Sequence, residues 1–170
     1  MKALFCAGLI TLAALTGAAA DDGTDAEGYV NPDENNFLRL REELRQRPER
    51  AGFLCWAVYE VQKGGSPYHG MALEALKECV AVGNAPSMIL LAHAYENGLG
   101  TEKSPKMSTH WVRKAAEKGY AIGQYHYGVA LVRGFGTETD IDAGRDWLTK
   151  AAENGNEDAA RFLEELGSGM

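Results

Sequence analysis

Apolar and small residues in the second half of this chain recur with helical spacing, and glycine interrupts them at fixed intervals. Ala85 to Asn97 reads as one helix, with Leu91, Ala92 and Tyr95 on its packing face. Gly98 and Gly100 stop it, because a helix end followed by a tight turn needs left-handed backbone. Ser104-Pro105 then supplies an N-cap and a first helical residue for a second helix carrying Trp111, Ala115 and Ala116, which Gly119 ends. The same text follows at once. APSMILLAHAYENGLGTEKSPKMSTHWVRKAAEKGY and AIGQYHYGVALVRGFGTETDIDAGRDWLTKAAENGN are each 36 residues long, abut without a gap and are identical at twelve positions. In the second line Asp140 takes the capping place, Trp147, Ala151 and Ala152 form the packing face, and Gly155 closes the helix.

A period of this length predicts a solenoid, in which each pair of helices (A, then B) covers its apolar face only by stacking on its neighbours. Alanine lets helix backbones approach closely, whereas tryptophan fills volume between hairpins. Upstream, residues 49–84 read as a degenerate copy, with KECVAVGNA resembling KAAEKGYA. CWAVYEVQKGG, residues 55–65, matches the helix before Gly98 only when moved by about three positions. Before that, Asp33 follows Pro32 and can cap a helix with Phe37, Leu40 and Leu44 on one narrow face, closed by Pro48. The organisation is thus an N-terminal capping helix at 33–48, repeats at 49–84, 85–120 and 121–156, and a C-terminal capping helix and tail at 157–170. In that last segment Phe162 and Leu163 can dock, but Glu164 and Glu165 thin the apolar stripe. The fold class expected is all-α: a right-handed α-solenoid of antiparallel hairpins.

The first residues change the picture of where the protein works. MKALFCAGLITLAALTGAAA pairs one Lys with a short apolar run and small residues at Ala18 and Ala20, the layout of a secretory signal peptide. The run is short for a membrane span, which needs roughly 20 apolar residues, so no membrane insertion is expected after cleavage. Residues 21–32, DDGTDAEGYVNP, are acidic and nearly free of apolar side chains, and are expected to form a flexible arm. The chain has 17 basic and 24 acidic residues, and loss of Lys2 with the signal leaves 16 against 24, a net charge of −8. No Lys/Arg cluster is present, which argues against nucleic acid and anionic membranes as partners. Cys6 leaves with the signal. Cys55 and Cys79 remain, and in an oxidising compartment they are expected to form one structural disulfide across the helices of the first hairpin.

The repeats resemble the Sel-one-like repeat family, a relative of the tetratricopeptide repeat. Its pattern is met by Ala121, Gly128, Gly134, Gly136, Asp140, Trp147, Lys150, Ala151, Ala152, Glu153 and Gly155 in the last unit. In the middle unit it is met by Ala85, Leu91, Tyr95, Gly98, Gly100, Trp111, Lys114, Ala115, Ala116, Glu117 and Gly119. Ala92, Tyr127, Leu131, Thr101 and Thr137 depart from the pattern at packing and turn positions. The resemblance implies an adaptor that holds other proteins together, often in bacterial envelope or signalling assemblies. A cysteine-rich branch of the family bridges the helices of each hairpin, which Cys55 and Cys79 resemble, although the other two hairpins have no cysteine.

By the same resemblance helix A lines the concave face. The residues there that packing does not claim are Ile89, His93, Glu96 and Asn97 in the middle unit and Tyr125, Val129, Val132 and Arg133 in the last, with Trp56 in the first and Arg161 on the cap. Apolar and aromatic anchors beside a few polar groups suit a peptide-binding groove. The competing reading is that Ile89, Val129 and Val132 only pack. His69, His93, His110 and His126 lack metal-ligand spacing; His126 aligns with Leu90 and Phe162, an interior or inter-repeat slot, and His110 with Asp146, a solvent position. No G-x-S-x-G, H-E-x-x-H, S-x-x-K or phosphate-cradling loop occurs, so neither catalysis nor a cofactor is expected. The expectation is an exported, monomeric scaffold that binds a protein or peptide partner in the cell envelope. Alternatives are an immunity protein that neutralises an exported toxin, and a small-molecule or metal binder. A mature chain starting near Asp21 is the first expected outcome: intact mass of the exported protein checks it, and retention of residues 1–20 contradicts it.

Overall fold

The computed structural model describes residues 34–63 and 69–168. The signal peptide, the acidic arm and the Asp33 cap expected from the sequence lie outside these residues. Helix α1 (Glu34–Gln46) leads through a short 3-10 turn (Pro48–Arg50) into α2 (Ala51–Lys63). There follow α3 (His69–Ala81), α4 (Ala85–Asn97), α5 (Pro105–Glu117), α6 (Ala121–Arg133), α7 (Ile141–Glu153) and α8 (Glu157–Ser168). No strand occurs among the described residues. Helices α2/α3, α4/α5 and α6/α7 are three consecutive A/B hairpins, with α1 and α8 at the two ends, so the chain is an α-solenoid.

Local sequence explains where the helices begin. Ser104 Oγ accepts the Met107 amide at 3.2 Å and Asp140 Oδ1 accepts that of Ala143 at 2.9 Å, as their sequence positions predict. Asn84 and Asn156 do the same for α4 and α8, accepting from Ser87 and Ala159. Each cap satisfies an amide that would otherwise lack an intrahelical partner, worth about 1 kcal/mol against alanine.

The first hairpin shows how a degenerate repeat keeps its place. Its B helix, α3, precedes α5 by the same 36 residues that separate α5 from α7. Its A helix does not keep that step: buried Leu54, Cys55 and Val58 match buried Ser87, Met88 and Leu91, each 33 positions later. A shorter A-to-B connection absorbs the difference, and the burial pattern survives because it is what stacking requires. Cys55 on α2 and Cys79 on α3 are both buried and disulfide-bonded, with alpha carbons 5.9 Å apart. Closing a loop of 24 residues in sequence stabilises by about 3 kcal/mol on the chain-entropy account. Leu40 and Leu44 seat α1 on this hairpin within one core shared with Leu73, Leu76 and Leu91, and Arg41 bonds Glu78 of α3 at 2.9 Å.

Close approach dominates the later hairpins. A Cβ on Gly128 would strike the Gly144 carbonyl and Leu148, and one on Gly123 would strike Ala115, so α6 meets both α7 and α5 nearly backbone to backbone. Turn glycines act between repeats. A side chain on Gly100 would drive into the His69 carbonyl at the start of α3, and one on Gly136 into the Pro105 carbonyl at the start of α5. Both have φ near +70°, at +74° and +66°. Gly119, at φ +81°, has open space around its alpha carbon. Gly119→Ala is therefore expected to lose ~1 kcal/mol of stability from its backbone conformation alone, and Gly136→Ala roughly 3 kcal/mol, since a backbone clash is added. Urea denaturation of the two variants measures the gap, and equal losses would contradict the inter-repeat contact.

Candidate functional site

Helices α2, α4, α6 and α8 place successive A-helix positions in register. Ile89, Tyr125 and Arg161 are 36 residues apart, and the 33-residue step of the first hairpin brings Trp56 into the same row. Trp56 is 54% exposed beside the 46% exposed Phe53, with ring centroids 6.4 Å apart, a large apolar pair at the start of the row. Ile89 and Tyr125 are half-buried, and Arg161 is exposed and paired with Asp158.

Two cavities open among these helices. The larger, about 410 Å³, lies between the C-terminal halves of α4 and α6 and the N-terminal half of α5; Glu96, Val112, His126, Val129, Arg133 and Phe135 line it. Its floor carries Thr109, whose hydroxyl donates to the Phe135 carbonyl at 2.7 Å and ties the A-to-B turn of one hairpin to the B helix of the preceding one. The smaller, about 330 Å³, is lined by Tyr125, Arg133, Asp158, Arg161, Phe162 and Glu165. Arg133 borders both. Its guanidinium sits 5.5 Å above the Phe162 ring, so a cation–π contact holds it between them.

The structure thus brings Val129, Arg133, Tyr125 and Arg161 together around the cavities, whereas Trp56, Ile89, His93 and Asn97 line neither. Asn97 is exposed and spends its side-chain amide on the His93 carbonyl at 3.0 Å, as a last-turn helix contact. Val129 and Val132 are partly buried against Leu148 and Ala151, so packing claims part of both.

His126 occupies the second of the two places its alignment allows. The alignment with Leu90 and Phe162 predicts an interior or inter-repeat slot, and the residue stands between repeats, exposed on one flank and part of the larger cavity wall. Phe162 comes after it in the row and Leu90 before it, and both are apolar, which is why the sequence suggested burial. Burial of the imidazole against the wall, with Tyr125 tilted on it at 5.1 Å, pushes its pKa below the ordinary value; Glu96 and Asp158 oppose that shift and His93 adds to it. Glu96 of α4 and His126 of α6 line the same cavity, so these two A helices present side chains to one common face.

Phe135 is a lining residue that sequence reasoning did not single out, and Phe162, expected only to dock the last helix, lines the smaller cavity as well. A signal for Phe135 existed: a large apolar residue between two turn glycines, at the position of Leu99, which packs on the core. Among the described residues no group of three His, Cys, Asp or Glu side chains converges to hold a metal, and no helix is long and apolar enough to cross a membrane.

Family comparison agrees with the geometry. The Sel1 repeat model matches residues 85–120 and 121–156. The chain carries Sel1 repeats. Its structure is similar to that of a Sel1 repeat protein from Oxalobacter formigenes, at 25% identity and a TM-score of 0.58 over 72% of this chain and 98% of that one. It also resembles Helicobacter pylori cysteine rich protein B, at 18% identity and a TM-score of 0.60 over 75% and 96% of the two chains. A protective antigen present in uropathogenic Escherichia coli strains, which displays an SLR fold, is similar at 22% identity and a TM-score of 0.59; the alignment covers 82% of this chain and 32% of the antigen. The last two likenesses show the fold alone. No curated protein matches the sequence. Sel1 repeat proteins are protein-interaction scaffolds.

The lowered His126 pKa has a sign for stability. The unfolded chain holds the proton more tightly than the folded chain does, so stability present above the ordinary imidazole value of 6.5 is lost as pH falls towards and through the lowered folded-state value. His126→Gln is expected to flatten that dependence. Histidine proton shifts followed by NMR measure the midpoint directly, and a midpoint at or above the ordinary value contradicts the desolvated site.

Proposed function

We propose that this chain is an exported, non-catalytic scaffold that binds a peptide segment of a cell-envelope protein on the concave face formed by its A helices. The observation that carries this reading is the arrangement of that face: exposed Phe53 and Trp56 at one end, Tyr125 in the middle, and the two cavities flanking Arg133 towards α8. Aromatic side chains give a partner large contact area at little entropic cost, and an arginine fixes orientation through its planar donors. The surface is apolar at one end and charged at the other, so an extended or helical segment would be read in one direction. Export is argued from the signal-like first twenty residues and is consistent with a buried disulfide, which persists in oxidising compartments.

Trp56→Ala and Arg133→Ala are the informative substitutions, because both side chains are exposed and their loss leaves the core intact. Pull-down from envelope extract with the mature protein is expected to retain a specific partner. Each substitution is expected to weaken retention by roughly tenfold or more, the scale of an interface anchor. Unchanged retention by both variants would remove the A-helix face as the binding surface.

A further inference from the structure

Charges on the A-helix face are not evenly satisfied. Arg161 is committed to Asp158, and Arg133 lies on the Phe162 ring. Glu96 and Glu165 are exposed and, among the described residues, have no cation within ion-pair distance, although Glu96 shares its cavity with Arg133 and Glu165 the neighbouring one. Burial is the main influence on His126, but Glu96 and Asp158 both act on its ring in the direction that favours a positive charge there. His93 acts the other way, and Glu96 is the carboxylate that lines the larger cavity, so a cation entering there meets it. At longer range, the chain's 24 acidic against 17 basic residues, a net charge of −7, draw basic segments and repel acidic ones.

We infer that the segment bound on the A-helix face is basic: a partner Lys or Arg seats in the larger cavity beside His126, facing Glu96, while neighbouring apolar residues lie on Tyr125 and towards Trp56. The inference rests on the proposed A-helix binding surface and adds the chemistry of its occupant. Val129, Val112 and Phe135 would cover the methylene stem of the cation, and the head group would reach the carboxylate, the usual way a long basic side chain divides itself. Arg133 would then serve the segment's backbone carbonyl oxygens, because its guanidinium is donor-only and already fixed in direction by Phe162.

Random peptides displayed on phage and selected on the immobilised mature chain test this. Enriched peptides are expected to share a Lys or Arg beside one or more large apolar residues. Their affinity is expected to fall about tenfold or more with Glu96→Lys, to fall as salt rises, and to be unchanged by Glu153→Lys on α7. Circular dichroism of Glu96→Lys confirms that the helices persist. Enrichment of Asp or Glu, or indifference of the selected peptides to Glu96→Lys, overturns the inference. If such peptides nevertheless depend on Trp56 and Tyr125, the binding surface stands and only its chemistry is wrong. If nothing is enriched, or no selected peptide depends on Trp56 and Tyr125, the surface and the inference fail together.

Discussion

The stacking of this protein depends on a contact in which a glycine of one A-to-B turn presses on the first carbonyl of the preceding B helix. Gly100 meets His69 and Gly136 meets Pro105, and both glycines and both carbonyls are separated by 36 residues. A contact between main chains leaves no side chain to adjust, so the distance between hairpins is set by the backbone itself. Positive φ at the same residues means that any other residue would suffer twice, from its own conformation and from the neighbour. Thr109 reinforces the second of these junctions by donating to the Phe135 carbonyl between the two turn glycines. Because successive A helices inherit this spacing, Ile89, Tyr125 and Arg161 form a row without any direct contact needed between them.

Side chains then divide into those that hold the stack and those that remain free. Leu91, Ala115, Leu148 and Ala151 are fully buried, and truncating a fully buried leucine such as Leu91 costs about 2–5 kcal/mol. Gln124 is buried as well, but its amide oxygen accepts from Asn154 at 2.8 Å, so a polar group inside the last hairpin is satisfied. Trp56, Arg133 and Arg161 lie at the other extreme, exposed on the A helices and of little consequence to the core. The two sets alternate along each helix, which lets binding chemistry vary while the stack is unchanged. Val129 belongs to both, since it lines the larger cavity and also packs against Leu148 and Ala151.

Much of the stack was legible in the sequence because it arises from short-range rules that repeat. Ser104 and Asp140 announce helix starts by type and position, and twelve identities at one period expose the hairpin register. The disulfide was legible too, since two cysteines in a chain with a signal-like start have few other uses and the alignment put them on facing helices. The candidate site was less legible. Whether His126 is buried depends on what α4 and α8 place opposite it, and Arg133 finds Phe162 only after the solenoid brings residues 29 apart into contact. Turn glycines were read as turn formers alone, because a sequence shows their backbone freedom and not the carbonyl lying against them.

The two outer described helices pack differently from the hairpins between them. At the N-terminus α1 covers the first hairpin with Leu40 and Leu44, and the disulfide closes the hairpin whose helix A has left the 36-residue step. At the C-terminus α8 keeps the inward residues Ala159, Phe162, Leu163 and Leu166 but replaces what a following helix would need. Glu164 stands where Gly128 lets α6 touch α7, and Gly167 where Leu131 fills the hairpin interior. A glutamate at that crossing is incompatible with backbone contact and would be desolvated by a further helix, so extension is opposed electrostatically and sterically. Asp158, Arg161 and Glu165 of α8 line the smaller cavity, so the last described helix also supplies the charged end of the proposed binding face.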